Sequence, residues 1–310
     1  TLQALTFSGA LITEFFWILK YAGKISNTLE AADPLYKNDP DKLQRQGINQ
    51  QDIKKLTNNP NPDKNLPFDK DFLKWFIGFS EGDGSFLITG GKSIFSIHLH
   101  LSDLPLLYEI QTQLNMGNVY QNESSAYFIV KAKKDINVLI HIFNGNLFLT
   151  KRQLQFKSWV LNFNKKNYMK IEIKFNEFKP SLNDNWLAGF IDAEGKFFVS
   201  VSKNRIVQRF ALGQKDAKKE FLYISKLINA NVEKIKNFDR VVVNYYKLNI
   251  IIEYLMRHKL ISLKAKSLEK WMEIYNYRKN KPAIEKIDYA ELKKNASLIN
   301  RLRKIPKDKK

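Results

Sequence analysis

The chain has 310 residues, 44% of them hydrophobic, which is enough for one large or two medium domains with a substantial core. Lysine and arginine number 51 against 31 acidic residues, so the net charge is +20 and the favoured partner is nucleic acid, with an anionic membrane surface second. The absence of cysteine excludes disulfides, thiolate metal sites and cysteine nucleophiles, and only four histidines disfavour a zinc site.

Residues 1–67 differ from the rest of the chain. Residues 4–23 are apolar over the length of a membrane helix, but Glu14 and Lys20 interrupt them. We therefore expect an amphipathic helix packed on the main body, with a remnant of an upstream membrane protein or a targeting segment as the alternative. Residues 31–67 are polar and turn-rich and predict a linker. The chain begins with Thr rather than Met, which predicts a processed product or part of a fusion.

From residue 68 onwards the hydrophobic pattern predicts the element order α-β-β-α-β-β-α twice. In the first copy, "FDKDFLKWFIGF" is a helix, "SFLIT" and "SIFSIHLHL" form a hairpin, and a helix, a second hairpin and further helices follow. In the second copy the same order begins at "NWLAGFIDAEG". Landmarks recur at nearly equal offsets, Leu114 with Leu227 and Trp159 with Trp271. The sequence thus predicts an α+β fold with two pseudo-symmetric halves.

Each copy opens with an apolar helix that ends in acid-small-acid-Gly: "WFIGFSEGDGSF" from Trp75 and "WLAGFIDAEGKF" from Trp186. The small residues lie four apart, Gly78 with Gly82 and Gly189 with Ala193, and so share one helix face. Such a face lets two helix backbones approach closely. We therefore expect the two helices to pair between the halves.

If those helices pair, Asp83 and Glu194 arrive side by side at the helix ends. Two crowded carboxylates call for a cation, and Mg²⁺ binds oxygen ligands and bridges carboxylates to phosphates. The alternative, simple capping of helix ends, is disfavoured because acids oppose the macrodipole there. Gly84 and Gly195 are expected at positive φ. Glu81 and Asp192 are expected to bond locally within the motif or at its rim, with metal binding as the alternative.

The residues "FIGFSEGDG" (76–84) and "LAGFIDAEG" (187–195) resemble the two motif copies of the LAGLIDADG homing endonucleases. The first copy departs at several apolar positions. The resemblance covers about residues 68–280 and implies a single-chain, two-motif, intron-encoded enzyme, with pseudo-two-fold tandem domains whose antiparallel sheets form a DNA-binding saddle. It implies that Asp83 and Glu194 are the catalytic metal ligands, aided by the carbonyl groups of Gly82 and Ala193.

Two further catalytic positions follow from the same resemblance. "FALGQK" (210–215) matches the strand end that carries an active-site glutamine in the family, which suggests that Gln214 positions water. Leu99 stands at the corresponding place in the first half. "SLKAK" (262–266) suggests Lys264 as the charge stabiliser, with a solvated helix lysine as the alternative and Lys151 as the first-half candidate, one position out of step with the tryptophans.

Alternating strands with one polar, basic face are suited to the major groove, although a merely solvated sheet face gives the same pattern. Lysines at the rims of that face would bind phosphates. The predicted DNA-binding residues are Lys92, Ser96, His98, His100, Lys131, Lys133, Lys196, Ser200, Ser202, Lys203, Arg205, Lys234, Lys236 and Arg240.

The sequence therefore predicts a site-specific endonuclease that makes a staggered double-strand break in a long DNA target by metal-dependent phosphodiester hydrolysis. The expected cofactor is Mg²⁺, with Mn²⁺ or Ca²⁺ able to occupy the same sites. The alternative is an RNA-binding maturase that assists group I intron splicing, with or without nuclease activity. A two-carboxylate glycosidase is disfavoured by the basic charge.

The unequal halves predict a monomer with no obligate protein partner, acting on double-stranded DNA and, in the alternative, on intron RNA. The Lys-, Asn- and Ile-rich composition and the N-terminal extension with its apolar leader resemble those of intron-encoded organellar members of the family, which implies a mitochondrial protein, with a chloroplast protein as the alternative. The predicted domains are an extension and linker (1–67), a first half (68–163), an inter-domain linker (164–184), a second half (185–280) and a basic tail (281–310).

Overall fold

The computed structural model describes residues 68–175, 178–202, 205–280 and 289–299. The predicted N-terminal helix and linker lie outside these residues. Within the described ranges, no helix is both long and apolar enough to span a bilayer.

The first half has the predicted order of helices and strands. Its elements are α1 (Lys70–Asp83), β1 (Gly84–Thr89), β2 (Lys92–His100), α2 (Leu104–Leu114), β3 (Asn118–Gln121), β4 (Ser125–Val130), α3 (Lys133–Phe143) and α4 (Thr150–Asn167). A 3-10 turn, Leu101–Asp103, joins β2 to α2. Asp69 caps α1 by accepting a hydrogen bond from the Phe72 amide at 2.6 Å.

The second half repeats that order. Its elements are α5 (Trp186–Glu194), β5 (Lys196–Ser202), β6 (Arg205–Lys215), α6 (Lys218–Leu227), β7 (Asn231–Ile235), β8 (Phe238–Asn244), α7 (Asn249–Arg257) and α8 (Lys264–Lys279). The strand orders β1-β2-β4-β3 and β5-β6-β8-β7 are the same, and all pairs are antiparallel. The predicted α+β fold with two pseudo-symmetric halves is therefore confirmed.

Each sheet has one face against helices and one face away from them. In the first sheet, Phe95, Ile97 and Phe128 are fully buried against the helices. In the second sheet, Phe210 and Val241 have the same role. Because side chains alternate along a strand, the residues between these core positions point to the opposite face of each sheet. We call the two opposite faces the outer faces.

The C-terminal part of the chain differs from the predicted surface tail. Residues Tyr289–Ile299 form a helix, α9, that packs against α8 and β5. Leu292, Ala296 and Ile299 are buried, and their spacing puts them on one side of the helix. The domain bounds given above stay predictions, although α4 continues to Asn167, inside the predicted linker.

Candidate active site

Helices α1 and α5 lie in direct backbone contact along their small residues. A Cβ atom built on Gly78 would lie 1.9 Å from the carbonyl oxygen of Trp186, and one built on Gly189 would lie 1.9 Å from that of Trp75. One turn further on, a Cβ on Gly82 would lie 2.3 Å from the Cβ of Ala193. These distances exclude any side chain, so the predicted pairing of the two helices is confirmed.

The close approach brings the ends of both helices together. Asp83 is the last residue of α1, and Glu194 is the last residue of α5. A Cβ atom on Gly82 would lie 3.1 Å from Cγ of Glu194, so the Glu194 side chain crosses the interface beside the residue that precedes Asp83. Both carboxylates are partly exposed. One acid from each half therefore faces solvent at the same place.

The glycines that follow the acids do not have the predicted backbone conformation. Gly84 has φ −78° and Gly195 has φ −65°, both in the extended region rather than at positive φ. Their constraint is steric, because a Cβ atom on Gly84 would lie 2.5 Å from the carbonyl oxygen of Ser80 and one on Gly195 would lie 2.6 Å from that of Ile191. The prediction was wrong because it assigned the glycines to chain reversal instead of close packing.

The first acid of the α1 motif, Glu81, bonds across the interface between α1 and α5. Glu81 is fully buried and accepts hydrogen bonds from the amides of Phe148 (2.7 Å) and Leu149 (2.6 Å), at the start of α4. It also accepts a bond from Nε1 of Trp186, in the other half, at 3.1 Å. The predicted local bonding of Glu81 is wrong, since all three partners are distant in the sequence.

Asp192 repeats this arrangement from α5. It accepts hydrogen bonds from Nε1 of Trp75 in the first half (2.9 Å), from the Ile261 amide (2.9 Å) and from Oγ of Ser262 (2.5 Å). Asp192 is buried, as Glu81 is. Here too the prediction of bonding within the motif is wrong. The two motif tryptophans and the two buried acids thus form reciprocal contacts across the interface.

Glu81 predicts a measurable dependence of stability on pH. Burial raises its pKa from 4.5 to about 7, against opposing hydrogen bonds from Leu149, Phe148 and Trp186. The folded state therefore holds this proton more tightly than the unfolded chain. The resulting stabilisation is complete below pH 4.5 and is lost as the pH rises through about 7.

Glu81→Gln removes this titration and serves as the reference. The difference in the free energy of unfolding between the wild type and this variant should fall by on the order of 3 kcal/mol between pH 4.5 and pH 8. Urea unfolding in the presence of a chelator measures this difference without coupling to metal binding. A difference that stays constant over that range would show that Glu81 remains ionised in the folded protein.

Lys264 lies under the end of α5, as a buried residue. Its Nζ donates hydrogen bonds to the carbonyl oxygens of Ile191 (3.0 Å) and Ala193 (2.6 Å), and the residue is 5% exposed. The alternative of a solvated helix lysine is therefore wrong. Its role as charge stabiliser stays a prediction, and its position next to the Glu194 backbone is consistent with that role.

Arg152 has the corresponding position in the first half. Its Nε donates to the carbonyl oxygen of Glu81 (2.8 Å) and its Nη2 to that of Gly82 (2.7 Å). Lys151, the residue suggested from the sequence, is exposed instead. The offset between the two landmark tryptophans, applied to Lys264, identifies Arg152 directly. Burial lowers the pKa of Arg152, and the negative charges of Glu81, Glu194 and Asp83 oppose that lowering.

The surroundings of Glu194 in the second half differ from those of Asp83 in the first. Burial raises the pKa of the Glu194 carboxyl, while the positive charges of Lys264, Arg152 and Lys196 and a hydrogen bond from Gln214 oppose the rise. Nε2 of Gln214 donates to Oε1 of Glu194 at 3.2 Å.

The strand registers show that the first half lacks this group. Ser85 is the second residue after Asp83 and pairs with Ser96. Lys196 is the second residue after Glu194 and pairs with Ala211. Leu99 lies three residues after Ser96, and Gln214 lies three residues after Ala211, so the two positions correspond. Only one of the two acids has an amide donor in this position.

The donors at the helix ends suit a hard cation. Asp83 and Glu194 supply carboxylate oxygens, and Gly82 and Ala193 supply carbonyl oxygens, which are the ligand types that Mg²⁺ and Ca²⁺ prefer. Each of these carbonyls already accepts a bond from Arg152 or Lys264, but a carbonyl oxygen has a second lone pair. No group of three or more His, Cys, Asp or Glu suited to a metal occurs in the described ranges. Substrate oxygens would have to complete the coordination.

Most of the predicted DNA-binding residues lie on the outer faces. The β-sheet registers place there Lys92, Ser96, His98, His100, Lys196, Ser200, Ser202, Arg205 and Arg240. Lys131 directly follows β4 on the same face, and Ser96 is only 9% exposed.

Three other predicted DNA contacts lie elsewhere. Lys133 is the first residue of α3. Lys234 pairs with the buried Asp239 and so belongs to the core side of the second sheet, opposite to Arg240. Lys236 is in the β7–β8 turn with φ 56°, and Lys203 lies outside the described residues.

The family profile described as LAGLIDADG endonuclease matches residues 76–163 and 187–275, one copy for each half. The chain belongs to this family. A Neurospora crassa relative, probable intron-encoded endonuclease 4, is 35% identical over 216 residues, which are 66% of this chain and 40% of the relative. The intron-encoded RNA maturase bI4 of Saccharomyces cerevisiae is 31% identical over 127 residues, 40% of this chain and 19% of the maturase. The chain thus spans less than half of either relative.

Solved structures show the same fold. The LAGLIDADG homing endonuclease I-GzeII, in complex with its DNA target, matches with a TM-score of 0.62 at 21% identity, over 74% of this chain and 99% of that protein. I-SmaMI, bound to uncleaved DNA in the presence of calcium ions, matches with a TM-score of 0.59 at 15% identity, over 74% of this chain and 98% of that protein.

Sequence reasoning about this LAGLIDADG protein missed two cations besides Arg152. Arg209 and Lys215 lie on the outer face of β6, with Arg205. The signal was available, because both follow Arg205 at even spacing along the strand "RIVQRFALGQK".

Proposed function

We propose that this protein is a site-specific endonuclease that cleaves both strands of double-stranded DNA by divalent-metal-dependent hydrolysis, leaving staggered ends. The observation that carries the proposal is the convergence of Asp83 and Glu194, one from each half, beside the cations Arg152 and Lys264. Family membership and the DNA complexes of structurally similar proteins support it.

The carboxylates would bind the metal, for which Mg²⁺ is the proposed ion and Mn²⁺ or Ca²⁺ are the proposed substitutes. A bound divalent ion supplies a hydroxide nucleophile and neutralises the leaving oxygen of a phosphodiester. Asp83 and Glu194 orient their oxygens toward the substrate because the glycine-packed helices fix both helix ends. Gly82 and Ala193 present their carbonyl oxygens at the same place, held by Arg152 and Lys264.

The two cations would offset negative charge at the scissile phosphates. Arg152 and Lys264 lie beneath the carboxylates and add positive charge where the phosphate would approach. Such preorganised charge stabilises a transition state without reorganisation during the reaction. Gln214 would orient Glu194 through its amide and position water on that side only.

Gln214→Leu tests this difference between the halves, because it makes the second half resemble the first at Leu99. A residue that orients a metal ligand typically contributes about 10- to 100-fold to activity. We expect a loss of that size in the cleavage of one DNA strand and a smaller loss for the other. Strand-specific end labels on a cleavable duplex measure both rates.

Gln121→Leu is the matched control, since Gln121 is an exposed residue on the far edge strand β3. An equal loss of rate for both strands in Gln214→Leu, relative to the wild type, would contradict the assigned role.

RNA binding in support of intron splicing is the second candidate function. It is favoured by the similarity to the yeast RNA maturase, over 40% of this chain. The deciding experiment incubates the protein with Mg²⁺ and duplex DNA selected for binding, and in parallel measures its affinity for group I intron RNA. DNA cleavage supports the endonuclease, whereas tight RNA binding without cleavage supports the maturase.

We further propose that the protein acts as a monomer, because the two halves provide one acid each. A mitochondrial location is proposed from the composition and from the intron-encoded fungal relatives. Sedimentation of the DNA complex measures the stoichiometry, for which we expect one chain per duplex.

A further inference from the structure

The outer faces of the two sheets differ in chemistry although their topology is the same. Outer-face positions of the first sheet include several apolar and aromatic residues: Leu87, Ile94, Tyr120, Tyr127 and Ile129. The corresponding face of the second sheet has five cations among its described residues: Lys196, Arg205, Arg209, Lys215 and Arg240. The second face also has apolar residues, Phe198 and Phe238 among them, so the two surfaces differ in their cations rather than in their apolar groups.

The positive charge of the first sheet is restricted to one end of its outer face. Lys92 and Lys131 lie close enough for the charge of Lys92 to lower the pKa of Lys131, in addition to the larger effect of burial. Strands β1 to β4 contain no arginine at all. Further along the face, the His98 ring stacks on Tyr127 with centroids 4.5 Å apart and planes within 5°. This face thus offers flat and apolar groups rather than guanidinium groups.

The second sheet has arginines where they could reach base edges. Arg209 pairs with Asn244, and Arg240 pairs with Gly213, four residues further along β6. In the part of the chain that the structure describes, neither guanidinium donates a hydrogen bond to another residue. At about 3.3 Å per residue, the two arginines are separated by roughly 13 Å along the strand, or about four base-pair steps.

These chemistries select different bases. Arginine binds O6 and N7 of guanine with two donors, which is the commonest specific contact in the major groove. Apolar side chains contact the thymine methyl group and asparagine pairs with adenine, and both kinds of residue occur on each outer face, with Asn118 on the first and Asn244 on the second. Lysine can also donate to guanine, but both lysines of the first outer face, Lys92 and Lys131, lie at one end of it, so its other strand positions have no arginine or lysine for this contact.

We propose that the two halves read chemically different half-sites: the second sheet requires guanines opposite Arg209 and Arg240, and the first sheet requires an A·T-rich half-site. This inference rests on the proposed function for the use of the outer faces, and it specifies the class of DNA target. The target is therefore asymmetric in base composition as well as in sequence.

Selection of bound duplexes from a random-sequence DNA library, followed by sequencing, tests the proposal with the full chain. The absence of cysteine allows one iron chelate to be attached at a chosen place, through Thr89→Cys on the first sheet or Ser202→Cys on the second. Both residues are exposed at strand ends. Chelate-directed DNA scission then shows which half-site lies against which sheet.

We expect guanines in the half-site cut by the Ser202→Cys chelate and A·T pairs in the half-site cut by the Thr89→Cys chelate. Arg240→Lys keeps the charge but loses the planar fork, so it should lower the preference for guanine over adenine by about tenfold at one position only. Ile94→Val is a conservative change on the first outer face, and it should leave the guanine preference at the position opposite Arg240 unaltered.

Equal guanine content in the two half-sites, or an unchanged guanine preference in Arg240→Lys, would overturn the proposal. These results are distinguishable from failure of the proposed function. If the wild type binds the selected duplexes but does not cleave them with Mg²⁺, the endonuclease proposal fails while the half-site assignment is still decided by the binding data.

Discussion

Asp83→Asn and Glu194→Gln should each lower the rate of DNA cleavage by on the order of a thousandfold or more. Each change removes a carboxylate charge from the place where the two helices end. A metal contributes several kcal/mol of charge stabilisation in such reactions, and about 1.4 kcal/mol corresponds to a factor of ten in rate. DNA binding should persist, because neither change alters the outer faces of the sheets. Cleavage of a plasmid that contains the selected target, together with a gel-shift titration, measures both properties.

Asp71→Asn is a suitable control for the loss of an acid from α1. Asp71 is exposed in the first turn of the same helix, far from its C-terminal end. We expect it to cleave at the wild-type rate. If Asp83→Asn or Glu194→Gln also cleaved at nearly that rate, the assignment of these acids as metal ligands would be wrong.

Gly189→Ala should destabilise the protein by about 3 kcal/mol or more, and Gly189→Leu by more again. The new Cβ would overlap the carbonyl oxygen of Trp75, and backbone atoms cannot move away without separating α1 from α5. Overpacking on this scale should lower the melting temperature by about 6 °C or more in a protein of this size. Differential scanning calorimetry without DNA or metal measures the shift.

Gly213→Ala supplies the matched comparison, since a Cβ atom there would meet only the carbonyl oxygen of Asp239, at 3.9 Å. It should change the melting temperature by little. Equal melting temperatures for Gly189→Ala and the wild type would refute the tight backbone contact between the two helices.

The sequence was most informative where a feature depends on short spacing. Small residues four apart predicted the paired helices, and even spacing along "FSIHLHL" predicted the outer face of β2, because helix and strand periods place such residues on one side. The repeat of the motif then predicted that Asp83 and Glu194 lie together. For the same reason, the duplication predicted the order of elements in both halves.

Features that depend on distant partners could not be predicted in this way. Glu81 and Asp192 bond to residues far along the chain, and no local pattern specifies those partners. Lys234 was predicted to share a face with Arg240, but it lies on the opposite face of the sheet. Which residues of β7 and β8 share a face depends on where the turn between the strands falls. Arg152 was missed by one position, although the tryptophan offset identifies it.

The reciprocal contacts of Trp75 with Asp192 and of Trp186 with Glu81 restrict how the halves can be recombined. A chimera that joins one half of this chain to the partner half of a relative would lose both bonds unless the relative also supplies a matching indole and acid. The half taken from this chain would then contain a buried carboxyl group that lacks its indole donor and an indole that lacks its acceptor. Compatible exchange therefore depends on four side chains in the helix pair, more than on overall sequence identity between the donors.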